Sequence, residues 1–323
     1  MSSDEGRIGV AEIERARQGA GVLELPEAIP LLLSGENVRR WCNGMFTNNI
    51  RKLKEGQGNR SGMCSDRGRL QGLLDLYCID DQAFLIVLDG VDLDWFETRY
   101  GMFMVLDDIE HESAGQTITL QGPTAAHVVS AMGLSIPELP HEHVCSTFNS
   151  QQIRVCKKDR SGLGGLDLIV NGDVSAVLAA LQDAGAVSMS LAALDALRIQ
   201  AGRAEWPKDG TEKSLIHELA FNEECCAFDK GCYVGQEVIN RVDVRGQLSK
   251  RLMGIRAAGP LSEGMIVRHE DRDVGTLSSV LVLDGQSYGL SVVRKSVWQP
   301  GTVVSLQGEG VSVAGAVSAL PFD

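Results

Sequence analysis

The sequence predicts a mixed α+β protein that ends in a separate, small all-β module. Three observations lead there. Apolar residues recur at helical spacing in the middle of the chain, runs such as AFLIVLD and QTITLQG read as strands, and after Arg251 the texture turns to short β-rich runs punctuated by Gly, Asp and Pro. At 323 residues the chain exceeds one small core, so two or three domains are expected.

Each element has a local reason. AFLIVLD spans Ala83–Asp89, and QTITLQG runs through Gly122-Pro123 into a helix for which Thr124 is the expected cap. Asp173 precedes Val174, Val177, Leu178 and Leu181, one apolar helical face that Gly185 can close in a left-handed cap, which predicts a helix over 174–184. Leu191, Leu194, Leu197 and Ile199 lie in a second helix that opens at Ser190 and stops at Gly202, placing Arg198 near its C-terminal end. The glycine-rich SGLGGLD, Ser161–Asp167, lacks both the dinucleotide fingerprint and the phosphate-loop Lys-Ser/Thr, and reads as a tight turn between strands. Beyond Arg251, LMGIRAAG, MIVRHED, VGTLSSVLVL, SYGLSVVR, TVVSLQG and VSVAGAVS suit a small barrel or closed sandwich, which removes exposed strand edges. The expected division is 1–247 and 248–323.

Composition narrows the function. With 44% hydrophobic and 23% charged residues and no apolar run near the ~18 needed to cross a bilayer, a soluble protein without membrane association is expected. The polar start MSSDEGRIGV has neither the basic nor the apolar part of a secretory signal, so a cytoplasmic address is expected. A net charge of −13 argues against nonspecific nucleic-acid binding, which depends on neutralising phosphates. A local anion site remains open at Arg241, Arg245, Lys250, Arg251 and Arg256, opposed only by Asp243. Eight cysteines without a C-x-x-C pair fit neither a zinc site nor a compact disulfide framework, and reduced thiols are expected. The histidines of HEH, 141–143, stand beside prolines as two ligands at most, so no metal site is expected. G-x-S-x-G is absent and His217-Glu218 lacks a second histidine, which removes hydrolase readings.

One stretch does not read as core: FDKGCYVGQEVINR, Phe228–Arg241, concentrates polar and conformationally special residues. Cys232 stands two residues from Lys230 and just before a segment, Val234–Arg241, able to begin a helix, both of which favour a thiolate. Glu237 opposes it, and a free cysteine beside an aromatic is often packed. Gly231 and Gly235 would let backbone approach a ligand closely.

KGCYVGQE resembles the Lys-Gly-Cys-Tyr/Phe-x-Gly-Gln-Glu signature of the YgfZ family, relatives of the folate-dependent T-protein of glycine cleavage. LSGENVRRWCNGMFTNNI, LQGPTAA, ALRIQAGRAEW and VSALPF resemble other segments of that family in the same order, covering roughly residues 22 to 322. The resemblance implies a GcvT-like three-domain ring around a central folate channel, with two intertwined α/β domains and a small C-terminal β-barrel. It implies tetrahydrofolate or a one-carbon derivative as cofactor, and iron–sulfur proteins or their assembly machinery as partners. An accessory role in assembly or repair of iron–sulfur enzymes, including tRNA-modifying ones, is expected, without direct nucleic-acid contact and as a monomer. T-proteins instead transfer an aminomethyl-derived one-carbon unit to tetrahydrofolate.

The resemblance also assigns residues. The position of the T-protein's carboxylate after its Gly-Gly pair is Gly72 here, and Asp75, three residues on, would face the other side of a strand. Asp167 is either a pterin contact or a polar strand residue, Arg198 either a partner for a folate carboxylate or an ordinary helix-end cation, and Trp206 either a stacking platform or interface filling. Lys230, Tyr233, Gln236, Glu237 and Arg241 complete the candidate folate contacts, Cys232 is the candidate reactive thiol, and the basic cluster is available to a polyglutamate tail.

Overall fold

The computed structural model describes residues 5–246, 248–283, 285–308 and 310–322. Two compact units divide the chain discontinuously: Met1–Cys64, Gly72–Leu194 and Glu224–Val234 form one, and Ser65–Gln71, Asp195–Glu223 and Gly235–Asp323 the other.

The first unit holds two sheets. A five-stranded sheet has the order Gly58–Cys64, Leu70–Cys78, Ala83–Asp89, Ala28–Ser34 and Glu110–Ser113. AFLIVLD is thus the expected strand, paired antiparallel on both sides. Along Leu70–Cys78 the side chains alternate: Leu74, Leu76 and Cys78 enter an apolar core against the helices Val38–Met45 and Leu93–Leu106. Trp41, Phe46 and Tyr100 meet there edge to face at centroid distances of 5.7 to 5.8 Å.

A six-stranded sheet runs Val187–Ser188, Gly21–Glu24, Gln116–Gln121, Gly165–Val170, Gln151–Lys157 and His143–Phe148, antiparallel except for the first pair. Its core packs on the helices Ala125–Ala131 and Val174–Asp183. Asp173 caps the latter as expected, accepting from the Ala176 N–H. Thr124 occupies the cap position of the former, but its side chain makes no capping bond, a correction to the expected role. The Ser161–Asp167 stretch enters a strand from a tight turn, with Gly162 and Gly164 at φ of +87° and +85°.

In the second unit the six C-terminal runs close a barrel in the order Lys250–Ala257, Gln286–Arg294, Arg272–Leu283, Ile266–His269, Val303–Gly308 and Val311–Ser318, the last pairing back onto the first. Ile255, Val267, Val293, Val297 and Leu306 fill it without exposure. The mixed α/β character and the C-terminal barrel agree with the sequence expectation. No helix among the described residues is long and apolar enough to cross a membrane.

Candidate functional site

Two segments far apart in sequence meet in the first unit. Asn43 Oδ1 accepts from the N–H groups of Ile50 and Arg51 and shapes the loop after the Val38–Met45 helix. Thr47 Oγ1 accepts from Gly62 and donates to the Cys225 carbonyl, and Asn48 Nδ2 donates to the carbonyls of Arg60 and Glu224. Against this loop lies the signature: Lys230 Nζ donates to the carbonyls of Phe46 at 2.7 Å and Asn48 at 2.6 Å. The same ammonium stands 4.8 Å from the centroid of the buried Tyr233 ring. Burial pushes the Lys230 amine down to about 8, because the charged form is taken from water. Cys232, between Lys230 and Val234, is exposed.

Glu224, where that segment begins, touches a second feature. His141 Nε2 lies 3.5 Å from Glu224 Oε1, and His141 Nδ1 lies 3.7 Å from Asp75 Oδ1. Asp75 is 1% exposed and accepts at 2.7 Å from Lys158 Nζ, itself 2% exposed. Arg60 approaches Asp75 Oδ2 to 3.7 Å and donates to Asp89 at 2.7 Å. Arg160 grips Asp167 with Nε and Nη2 at 3.0 and 2.8 Å. Burial alone would raise the Asp75 carboxyl, yet Lys158 and Arg60 hold it far below the usual carboxylate range. Burial likewise opposes the charge of Asp89, and Arg60 and Arg160 overcome it. Burial pushes the His141 imidazole below its ordinary range, although Asp75 opposes the shift. Three carboxylates and three cations thus neutralise one another out of water, while Asp75 Oδ2 and His141 Nδ1 lack a hydrogen-bond partner among the described residues.

Gly72 faces the other way. A Cβ there would stand 2.7 Å from Met63 Cε and 2.8 Å from Val91 Cγ1, so the space is already filled by apolar side chains.

The remaining expected residues lie in the second unit. Arg198 uses all its N–H groups internally: on Asp195, on Asp209 at 2.7 Å, on Ser279 at 2.7 Å, and on the Arg203 carbonyl at 3.0 Å. Burial disfavours its charge, but Asp209 and Asp195 raise its pKa nonetheless. Trp206 is buried with its ring edge against Gly210, where a Cβ would come within 2.7 Å of it. Gly235, at φ +83°, opens the helix Gln236–Arg245 and approaches Ser65 so closely that a Cβ would meet its carbonyl at 2.5 Å. Gln236 is half-buried, and Glu237 pairs with Arg241 on the exposed face at 2.6 Å. Arg245, Lys250 and Arg251 are exposed, whereas Arg256 lies over the Tyr288 and Phe322 rings.

A model of the GCVT N-terminal domain family matches residues 6–223. The chain belongs to that family. Among curated relatives, aminomethyltransferases of Chlorobium luteolum and Halothermothrix orenii are 23% and 22% identical, each over 97% of this chain and covering 90% and 91% of the relative. That of Shouchella clausii is 24% identical over 96% of this chain and 88% of the relative. The crystal structure of glycine cleavage system aminomethyltransferase T from Bartonella henselae superposes with a TM-score of 0.87 at 20% identity, covering 98% of this chain and 89% of that one. That likeness establishes the fold.

In this GCVT-family chain the buried network is what sequence reasoning missed. Arg60, Asp89, Lys158, Arg160 and Glu224 were not singled out, and His141 was weighed only as a metal ligand, because their pairing joins residues up to 83 positions apart. One signal was present: Asp75 is the lone charge in the strand Leu70–Cys78, whose other residues are mostly apolar, and so calls for a buried partner.

Proposed function

We propose that the protein binds tetrahydrofolate or a one-carbon derivative, and acts as an accessory factor of the YgfZ group in the assembly or repair of iron–sulfur enzymes, tRNA-modifying enzymes among them. The observation that carries this reading is the pairing of an intact polar network with an apolar Gly72 side. Gly72 itself has no side chain to handle protons, and Met63 and Val91 fill the space a carboxylate there would need.

The residues present fit a reduced folate. A pterin offers ring and amino N–H donors, and Asp75 Oδ2 and His141 Nδ1 are buried polar atoms without hydrogen-bond partners among the described residues. When bound, the folate supplies nitrogens that carry a one-carbon unit. In this reading Asp75 accepts from the pterin, Lys158 and Arg60 keep Asp75 ionised, and Asp167 positions Arg160. Lys230 anchors the signature to the 46–48 loop, leaving Cys232 to face an iron–sulfur client. A second reading, aminomethyl transfer, is favoured by the similarity to curated aminomethyltransferases.

Calorimetry with tetrahydrofolate, a glycine-cleavage assay with the carrier protein, and iron–sulfur enzyme activity in cells lacking the protein separate the two. Folate binding with no turnover, and lowered iron–sulfur activity restored by the wild-type chain, is the expected result. Turnover above background would move the protein to the transferases, and absent folate binding would remove both readings.

A further inference from the structure

The helix Leu93–Leu106 ends in a surface that is not covered. Phe96, Tyr100 and Met104 form its inner face in the core of the five-stranded sheet. Outward, Met102, Phe103, Val105 and Leu106 are exposed to 77%, 44%, 74% and 74%. Apolar residues scattered singly over a surface need no explanation, but four within the last two turns of one helix make a contiguous patch.

Its border is mainly acidic, with the exposed Arg40 already taken up by Asp107. Asp108 and Glu110 follow directly and are exposed. Asp108, at φ +53°, and the bonds from the Asp107, Asp108 and Ile109 N–H groups to Met104, Val105 and Met104 carbonyls close the helix in a tight turn beside the patch. The helix C-terminus adds partial negative charge of its own.

This combination selects the occupant. A second copy docked by the same patch about a two-fold axis would oppose acid to acid, on a chain already at −13. An anionic lipid surface meets the same repulsion. A cationic amphipathic helix satisfies both parts, its apolar face covering the four side chains and its Lys or Arg residues reaching Asp108, Glu110 and the helix end. We propose that the C-terminal end of the Leu93–Leu106 helix is a docking surface for a partner protein presenting a basic amphipathic helix. The proposal is independent of the folate reading.

The test uses the full chain and a fluorescein-labelled amphipathic helical peptide of Leu and Lys, with a Leu/Glu peptide of the same pattern as control, read by anisotropy at physiological salt. The wild-type protein should bind the Leu/Lys peptide and not the Leu/Glu one. Val105→Ser with Leu106→Ser leaves the net charge unchanged, and should weaken binding at least about tenfold. Asp108→Asn with Glu110→Gln should weaken it less and flatten its salt dependence. Both positions pairs are exposed, and circular dichroism checks that the variants keep their fold. Equal binding by the Val105→Ser/Leu106→Ser protein would reduce the effect to general attraction to an acidic surface and overturn the proposal. Absence of binding would overturn it too, as would a wild-type dimer in sedimentation velocity that the same variant dissolves, which assigns the patch to a second copy.

Discussion

Replacing Lys158 by Met is the perturbation that the buried network makes most informative. The Lys158 ammonium stands 2.7 Å from Asp75, and Coulomb's law at an effective dielectric of 20 gives about 6 kcal/mol for that separation. Arg60 at 3.7 Å would remain, so Asp75 is not stranded completely, and the loss should fall near the low end of the range for breaking a buried pair, about 3 kcal/mol. The sign of the pH dependence follows from the carboxyl. In the wild type its folded pKa lies far below the unfolded value of about 3.9, so its stabilisation is complete above that value and is lost as pH falls toward the folded pKa. Without Lys158 the burial penalty on Asp75 is less well opposed and its folded pKa rises. Acidification then protonates the under-compensated Asp75 carboxylate and relieves the defect. Urea unfolding at a series of pH values should therefore show a gap of about 3 kcal/mol at pH 7 that narrows toward pH 4. A gap that stays constant with pH would refute the pairing of Lys158 with an ionised Asp75, and a gap below ~1 kcal/mol would refute its burial as an ion pair.

Two further outcomes follow from geometry. Native protein should expose two of its eight thiols to a disulfide-exchange reagent, Cys145 and Cys232, since the other six are buried, and Cys232→Ser should lower that count to one without lowering the melting temperature; more than two fast thiols would contradict the packing. Gly72→Asp should destabilise by about 3 kcal/mol or more, because the new carboxylate meets Met63 and Val91 inside an apolar core, and should not confer aminomethyl transfer; a normally stable variant would show that this side of the strand admits a polar group.

What could be read from the sequence was whatever depends on local spacing. The helix Val174–Asp183, its Asp173 cap, the strand Ala83–Asp89 and the six barrel strands are each set by residues within a few positions of one another. Strand alternation also separates Gly72 from Asp75, since an odd spacing sends their side chains to opposite faces. Long-range pairing is another matter. Nothing local says that Lys158 reaches Asp75 or that Arg198 turns inward to Asp209 and Ser279, because these partners are chosen by how sheets and loops are stacked. Thr124 failed for a milder reason: it holds the cap position without the side-chain bond that usually makes a threonine there worthwhile.

The signature KGCYVGQE can now be sorted by what each side chain touches. Lys230 is engaged by two carbonyls of the 46–48 loop, and Tyr233 is buried beside it. Gly235 is fixed by a left-handed backbone that approaches Ser65, and Glu237 pairs with Arg241 along the helix. These residues have internal reasons for their identity that any structural role would satisfy. Cys232 differs, being exposed between Lys230, bonded to the loop at Phe46 and Asn48, and Val234, whose N–H donates to Gly44 at the end of the preceding helix. An exposed thiol contributes little to packing, so under the proposed function the test of Cys232 is whether Cys232→Ser keeps folate binding and loses iron–sulfur activity in cells.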